Sequence, residues 1–315
     1  MTSIAFGPVP SRRLGQSLGI NNIPPKVCTY SCLYCQLGPT PETSLARTGF
    51  YPPEQVVACV TERVNALRRR GEAIDYLTFV PDGEPTLDFH LGDTIDGLKP
   101  LGIPVAVISN SSLVARDDVR AALAKADWVS LKVDSVDDTV WRQINRPHAA
   151  LRLQTVLDGI ATFARSYHGH LVTETMLLDG VNDGPAIVRA TAQFIAGLQP
   201  RAAYLLVPTR PTAEAWARCP SEEAVTAAYQ TFAERLARVE LLTGGETAAF
   251  GATGDAQSDL LSTAAVHPMR ADAVRELLAK DGATWQVVDQ LVERELLKEI
   301  KYQGQTFYVR RFSGQ

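Results

Sequence analysis

The sequence Cys28-Thr-Tyr-Ser-Cys32-Leu-Tyr-Cys35 places three cysteines in one short loop, at C-x-x-x-C-x-x-C spacing. A loop of this length lets all three sulfurs point toward one [4Fe–4S] cube, and thiolates are the usual ligands of such clusters. No fourth cysteine lies nearby, so the fourth iron is expected to remain open. A zinc site or a group of buried thiols is the alternative, but such zinc sites need a second ligand pair, which is missing. The stretch therefore predicts a cluster held by Cys28, Cys32 and Cys35.

This cysteine pattern resembles that of the radical SAM superfamily. The resemblance implies two cofactors, a [4Fe–4S] cluster and S-adenosyl-L-methionine (SAM), whose amino and carboxylate groups chelate the open iron. It also implies a flavodoxin or ferredoxin that reduces the cluster. Reductive cleavage of SAM then yields methionine and a 5′-deoxyadenosyl radical, which abstracts hydrogen from a substrate.

Composition places the chain among ordinary globular proteins. Of its 315 residues, 45% are hydrophobic and 21% are charged, and the net charge is −4. A protein with this net charge is not expected to bind nucleic acid over its whole surface, although a local basic groove is compatible with it. The N-terminus has no signal-peptide pattern, no apolar run is long enough to span a membrane, and the cysteines make a poor disulfide framework. We expect a cytoplasmic protein with no membrane association.

Helical and strand patterns alternate through most of the chain. Counting the strand that leads into the cysteine loop, six buried strands are predicted, with helices between them. The other five are predicted near residues 76–80, 105–108, 128–134, 171–177 and 203–208. Such alternation favours parallel βαβ units, and six units are too few for a closed eight-fold barrel. We predict an α/β fold, a partial (β/α)6 radical SAM barrel over residues 1–255, entered through an N-terminal hairpin in residues 7–26.

Polar residues follow the predicted strands, at the edge where α/β folds place their sites. Gly83, Glu84 and Pro85 end one strand, and by the resemblance this turn holds the amino group of SAM, with Glu84 contacting it. Asp82 stands where the family often has a glycine, which is a departure. Ser109, Asn110 and Ser111 end the next strand and are predicted to bind SAM from their position, although such residues also form ordinary turns and helix caps. By the resemblance, Leu206 and Val207 provide an apolar contact for adenine. Glu174 lies within the fifth strand and is a further cofactor-binding candidate, whose carboxylate is expected to face the barrel interior.

Lys132 and Asp134 are the candidate catalytic residues. They alternate with apolar neighbours on one strand, so both are expected to face the barrel interior. A lysine buried there is costly unless it is paired or functional. Substrate anchoring, binding of the SAM carboxylate and simple pairing of the two side chains all stay open. In the hairpin, Arg12 and Arg13 are either ligands for carboxylate or phosphate, or two solvated arginines on a turn.

Longer stretches narrow the resemblance. Residues 7–15, 83–86 and 177–183 resemble the branch that contains wyosine-type tRNA-modifying enzymes. Those enzymes carry a second cysteine-bound cluster from their N-terminal segment, whereas here no cysteine precedes Cys28. We therefore expect a single cluster, and the wyosine reaction itself is not expected.

The C-terminal pattern differs from the rest. After a linker near residues 243–255, two short helices and a glycine-tipped hairpin predict a winged-helix-like domain over residues 259–315. From residue 260 onward the chain has eight Lys or Arg residues and seven Asp or Glu residues. This net positive charge is smaller than phosphate contacts usually need. We expect this domain to dock a substrate or a protein rather than DNA.

Three functions remain open at this stage. The first is modification of RNA or another macromolecule by a radical SAM enzyme. The second is modification of a peptide or protein, including activation of a glycyl-radical enzyme. The third is a non-catalytic iron–sulfur sensor whose winged helix binds DNA.

Overall fold

The first described elements form the predicted hairpin. The structure, a computed structural model, describes residues 4–243 and 250–311. Strand β1 (Ala5–Ser11) pairs antiparallel with β2 (Gly15–Ile20), and the turn between them ends at Gly15, whose φ of 60° suits glycine. This confirms the hairpin that leads into the cysteine loop.

A parallel sheet continues from β2. Its further strands are β3 (Tyr76–Phe79), β4 (Val105–Ser109), β5 (Trp128–Lys132), β6 (His170–Met176), β7 (Ala202–Leu206) and β8 (Val239–Leu242). The strands lie in chain order, and within residues 4–243 and 250–311 the edge strands β1 and β8 do not pair, so the sheet stays open. The partial barrel is confirmed. Strand β8, which the sequence pattern did not indicate, adds a seventh parallel strand to the six that were predicted.

Helices connect the strands and cover the outer face of the sheet. They are α1 (Pro53–Arg69), α2 (Leu91–Leu98), α3 (Asp117–Leu123), α4 (Asp138–Asn145), α5 (Leu153–Ser166), α6 (Pro185–Leu198) and α7 (Glu222–Ala233). In α1, Pro53 stands at the first turn and the buried residues recur every three or four positions, at Val56, Val60, Val64 and Leu67. No helix in the described part of the chain is both long and apolar enough to cross a membrane.

Two apolar layers use opposite faces of the strands. Val105 and Val107 of β4 belong to the large core beneath the helices, whereas Ala106 between them faces the barrel interior. There it packs with Trp128 of β5 and with Leu14 from the hairpin turn. Trp128 is the first residue of β5 and Ala106 is the second residue of β4. The amino-terminal end of the barrel is thus filled by apolar side chains, which leaves the carboxyl-terminal end for a polar site.

The C-terminal elements form a smaller sheet with three helices. They are α8 (Ala256–Val266), β9 (Met269–Arg270), α9 (Ala271–Lys280), α10 (Gln286–Glu293), β10 (Leu297–Tyr302) and β11 (Gln305–Arg310), with the strand order β10-β11-β9. The two predicted helices and the glycine-tipped hairpin are present. The predicted linker, residues 243–255, falls partly on residues 244–249, which lie outside the described residues.

The N-terminal hairpin also connects the barrel with the C-terminal elements. Phe6 and Val9 of β1 share an apolar cluster with Leu260 of α8 and with residues of α9 and α10. Beside this cluster, Arg63 of α1 forms an ion pair with the buried Asp259 of α8 at 2.7 Å. One strand of the hairpin therefore packs on the C-terminal elements, while the turn of the hairpin packs inside the barrel.

Candidate active site

The cysteine loop is held by the end of a helix. Helix α4 begins after Asp137, whose carboxylate accepts a hydrogen bond from the Val140 amide at 3.0 Å. At its other end, the free carbonyls of Ile144 and Asn145 accept hydrogen bonds from the amides of Leu33 and Ser31, at 2.9 and 3.1 Å. Carbonyls at a helix C-terminus lack partners within the helix. Here they fix the backbone on both sides of Cys32.

The three thiols line one cavity. Burial raises the pKa of Cys28, and burial raises the pKa of Cys32 to about 12, so these thiols must release protons when they bind a metal. In the described part of the chain, no three His, Cys, Asp or Glu side chains converge on a single metal ion. A [4Fe–4S] cube makes a different demand, because each thiolate binds a separate iron. The donor set of three thiols in one loop fits that demand.

Two asparagine amides approach the cysteine sulfurs. Asn110, just after β4, donates to Cys28 Sγ at 3.5 Å, and Asn145, the last residue of α4, donates to Cys32 Sγ at 3.5 Å. Hydrogen bonds to the sulfurs help to set the reduction potential of an iron–sulfur cluster. Asn145 is also bound to Asp134, whose Oδ2 atom accepts from the Asn145 amide at 2.7 Å. The orientation of the Asn145 amide is thereby fixed.

Asp134, predicted to be catalytic, forms hydrogen bonds that hold the cysteine loop in place. Its carboxylate also accepts from the Tyr34 hydroxyl and from the Met176 amide, the latter at 2.8 Å. Burial raises the pKa of Asp134, although Lys132 and these donors act in the opposite direction. Asp134 does not line the cavity that the cysteines share. Its contacts connect the cysteine loop with the ends of β5 and β6.

Gly83 is required where it stands. A Cβ atom at this position would lie 1.9 Å from the carbonyl oxygen of Val27, the residue before Cys28. The same approach lets the Glu84 amide donate to that oxygen at 3.0 Å, and the Lys26 amide donates to the Asp82 carbonyl at 2.7 Å. These two hydrogen bonds join the turn after β3 to the cysteine loop. Only glycine permits this contact.

The Glu84 carboxylate is occupied by donors from the protein. One oxygen accepts from the amide and the hydroxyl of Thr86, at 3.1 and 2.6 Å, and from the Ser109 hydroxyl at 2.8 Å. The other accepts from the Asn110 amide at 2.7 Å. Burial raises the pKa of Glu84 in spite of these donors. Glu84 therefore links the ends of β3 and β4, and its predicted contact with SAM stays a prediction.

A buried ion cluster, formed by Arg13, Lys132 and Glu174, lies inside the barrel. The Glu174 carboxylate pairs with the Arg13 guanidinium and lies 3.7 Å from Lys132 Nζ. It also accepts from the Ser130 hydroxyl at 2.7 Å. Burial alone would raise the pKa of Glu174, but the two cations hold it below its usual range. Lys132 also lies over the Tyr34 ring, 5.1 Å from its centroid, so it connects this ion cluster with the cysteine loop.

These features surround a cavity of about 310 Å³. Most of the predicted site residues line it, namely Cys28, Cys32, Cys35, Gly83, Glu84, Ser109, Asn110, Lys132, Glu174 and Leu206. The other predicted residues do not line it, namely Pro85, Ser111, Asp134 and Val207. Ser111 instead donates from its hydroxyl to the Lys132 carbonyl at 3.0 Å, and Val207 packs in the outer core.

Sequence reasoning missed Asn145 and the pairing of Arg13. The signal for Asn145 was present, since Asp137 and Pro147 bracket a short helix. The pairing of Arg13 had no comparable signal, because Glu174 lies 161 residues away in the chain. Arg13 is thus not a solvated arginine on a turn, but it pairs with a carboxylate of the chain itself.

Comparisons with known proteins agree with this geometry. The model of the radical SAM superfamily matches residues 22–189. UPF0026 protein MJ1312 of Methanocaldococcus jannaschii is 42% identical over 314 residues, which cover 99% of this chain and 97% of the relative. This likeness spans the barrel and the C-terminal elements together.

Two solved structures share the fold. A radical SAM methyltransferase from Sphaerobacter thermophilus aligns with a TM-score of 0.52 and 16% identity, over 72% of this chain and 66% of that one. A structure of TYW1 with a lysine-pyruvate adduct bound aligns with a TM-score of 0.53 and 15% identity, over 70% and 74% of the two chains. At this identity the likeness concerns the fold alone. The superfamily match and the similarity to MJ1312, with the three thiols, establish the family. The chain is a radical SAM enzyme of the UPF0026 family, with a [4Fe–4S] cluster and SAM as its cofactors.

Proposed function

We propose that this enzyme binds one [4Fe–4S] cluster through Cys28, Cys32 and Cys35 and acts on a substrate held in the barrel interior. The observation that carries the proposal is the single cavity that the three thiols, the Gly83 turn and the ion cluster share. The other two cysteines, Cys59 and Cys219, do not line this cavity. A single cluster is therefore proposed.

The cofactors and the protein have separate tasks. When bound, the cluster and SAM supply a 5′-deoxyadenosyl radical that removes a hydrogen atom from the substrate. The protein must position the substrate and exclude water. We assign positioning of the substrate to the ion cluster, in which Glu174 holds the ammonium of Lys132 at the cavity wall. Asp134 is assigned an indirect role, because it holds Tyr34 and Asn145 against the cysteine loop.

The adenosine part of SAM needs an apolar contact. We assign this contact to Leu206, which lines the cavity at the end of β7. Ser109 and Asn110 also line the cavity, and they are proposed to bind the polar groups of SAM. A flavodoxin or ferredoxin is the proposed reductant.

The substrate is proposed to be RNA or another macromolecule, and the alternative is a peptide or protein. The C-terminal elements support this choice, since three helices with a glycine-tipped hairpin are typical of winged-helix-like docking domains. Among them, His267 lines the cavity and lies 3.0 Å from a guanidinium nitrogen of Arg210. Membership in an enzyme superfamily disfavours a non-catalytic DNA-binding sensor.

The proposal is tested by anaerobic reconstitution with iron and sulfide. Dithionite and SAM are then added, and 5′-deoxyadenosine is followed by mass spectrometry. We expect the wild-type protein to produce it and the Cys28→Ala, Cys32→Ala, Cys35→Ala triple variant to produce none. The matched control is the Cys59→Ala, Cys219→Ala double variant, which should bind the same amount of iron as the wild type. A cluster that forms without cleavage of SAM would overturn the proposed reaction.

A further inference from the structure

A smaller cavity of about 90 Å³ adjoins the main one, and we call it the side cavity. Tyr34, Met176 and Leu206 line both cavities. The other walls of the side cavity come from the hairpin turn, at Arg12, and from the segment after β7, at Thr212. The side cavity therefore lies next to the place where the cofactors are proposed to bind.

Three arginines line the side cavity, namely Arg12, Arg13 and Arg210. No Asp or Glu is among the described residues that line it. Glu174 pairs with Arg13 from inside the barrel, and this pair balances one of the three positive charges. Because guanidinium groups stay protonated in proteins, the lining residues carry a net positive charge, which favours an anionic ligand.

Arg210 is held at the boundary between the two cavities, and it lines both. It donates to the side-chain oxygen of Gln36 at 3.0 Å, and another of its nitrogens lies 3.0 Å from His267 Nε2. Gln36 directly follows Cys35, so the first contact fixes Arg210 relative to the cysteine loop. A guanidinium held in this way loses little further freedom when it binds an anion, and its planar N–H groups suit phosphate oxygens.

An exposed aromatic side chain lies beside the side cavity. Trp216 is 48% exposed and belongs to a turn that closes on Thr212, whose hydroxyl contacts the carbonyls of Glu214 and Ala217 at 2.8 and 3.4 Å. Thr212 itself lines the side cavity. An exposed tryptophan offers a face on which a nucleobase stacks. A basic cavity next to such a face matches a nucleotide, which carries both a phosphate and a base.

We propose that the side cavity binds a phosphate group of a nucleotide unit in the substrate. The inference rests on the proposed function, because it places this group beside the site at which the substrate meets the radical. A carboxylate would also suit the guanidinium groups, but the neighbouring Trp216 favours a nucleotide. The phosphate belongs either to an RNA strand or to a free nucleotide. These two sources share the same chemistry, and the experiment separates them.

The first arm tests the phosphate. Adenosine, AMP and a single-stranded RNA pentanucleotide are titrated by calorimetry into the reconstituted, oxidised protein with saturating SAM, so that the adenosine site is filled and no turnover is needed. We expect AMP to bind more tightly than adenosine. Loss of a charged hydrogen bond predicts that Arg12→Gln and Arg210→Gln each weaken binding of AMP about tenfold or more, without weakening that of adenosine.

Two further variants sharpen this arm. Arg210→Lys keeps the positive charge and should retain part of the affinity for AMP. The matched control is Arg69→Gln, which changes an exposed arginine in the last turn of α1 and should bind AMP as the wild type does. Because Arg12 is exposed, Arg12→Gln should fold normally even if Arg210→Gln does not.

The second arm identifies the source of the phosphate. An RNA strand predicts that the pentanucleotide binds more tightly than AMP and that Trp216→Ala weakens its binding about fivefold or more, because a stacked base is lost. Phe89→Ala is the control, since Phe89 is another exposed aromatic residue. A free nucleotide predicts equal affinities for AMP and the pentanucleotide, with no effect of Trp216→Ala.

Three results would overturn the proposal. AMP could bind no more tightly than adenosine, or Arg12→Gln and Arg210→Gln could lose affinity for all three probes equally. A glutamate-rich peptide that binds through Arg12 and Arg210, when AMP and RNA do not, would point to a protein substrate instead. A wild-type protein that binds AMP through these arginines but never cleaves SAM would contradict the proposed function and not the phosphate site.

Discussion

The cysteine loop and the buried ion cluster line the same cavity, but the chain specifies them in different ways. Cys28, Cys32 and Cys35 lie in one short stretch, so their spacing alone brings the three sulfurs to one place. Arg13 and Glu174 are 161 residues apart, and only the closure of the hairpin onto the sheet brings them together. The loop can therefore be recognised without the fold, whereas the ion cluster exists only in the folded chain. Mutations in the two regions should therefore affect different measured properties.

Removing the charge of Glu174 should have the largest effect on stability. Glu174→Gln leaves the partly buried Arg13 and Lys132, whose side chains are 16% and 19% exposed, without their common partner, which should lower the free energy of unfolding by about 2–4 kcal/mol. Because the pKa of Glu174 is depressed in the folded state, its contribution is present above the unfolded-state pKa and is lost as the pH falls through the folded-state pKa. The difference from the wild type, measured by urea denaturation, should therefore shrink at acid pH.

The control for this change is Glu234→Gln. The Glu234 side chain is 70% exposed and pairs with Arg235 at 2.9 Å, so its loss should cost less than about 1 kcal/mol. Equal costs for the two variants would show that the interior ion cluster adds nothing beyond a surface pair.

Gly83→Ala tests the contact between the turn after β3 and the cysteine loop. The added Cβ would meet the Val27 carbonyl oxygen at 1.9 Å, so the loop must move, at a cost of about 1–3 kcal/mol. Bound iron after reconstitution, measured colorimetrically, should fall well below the wild-type level. Gly197→Ala is the matched control, since a Cβ there meets nothing within 4 Å and alanine favours the α6 helix. Normal iron content in Gly83→Ala would mean that the turn does not position the loop.

Asn145→Ala should have a specific effect on reduction of the cluster. The amide donates to Cys32 Sγ, and such donors stabilise the more negative, reduced cluster. Its loss should lower the midpoint potential by about 60 mV, a tenfold change in a one-electron equilibrium. The measurement is a redox titration followed by EPR, at matched iron content. An unchanged potential would leave Asn145 with only its contacts to Tyr34 and Asp134.

The sequence predicted what local patterns determine. Helix α6 (Pro185–Leu198) lies between the strands predicted near residues 171–177 and 203–208, where a helix was expected, because its proline start and apolar face are local features. Strand β8 escaped prediction because it has only four residues, all of them partly exposed, so no alternation marks it. Helix α4 is also short, and only three of its residues are buried.

The site was less predictable than the fold. Lys132 and Glu174 were expected to face the interior, and both line the cavity. Asp134 was expected to face the same interior, but β5 ends at Lys132 and the chain then turns, so strand alternation no longer applies. The hydrogen bonding of the carboxylate next to Gly83 could not be predicted, because two of its donors, Ser109 and Asn110, come from a different strand.

The double use of the N-terminal hairpin affects how the chain folds during synthesis. Phe6 and Val9 are made well before the residues that they pack against, which lie from Phe250 onward. At ribosomal rates of about 5–20 residues per second, these apolar side chains wait on the order of ten seconds or more for their partners. The barrel strands are synthesised before then, whereas His267, which lines the cavity, is made after all of them. The part of the wall that His267 contributes is thus the last part of the cavity to be synthesised.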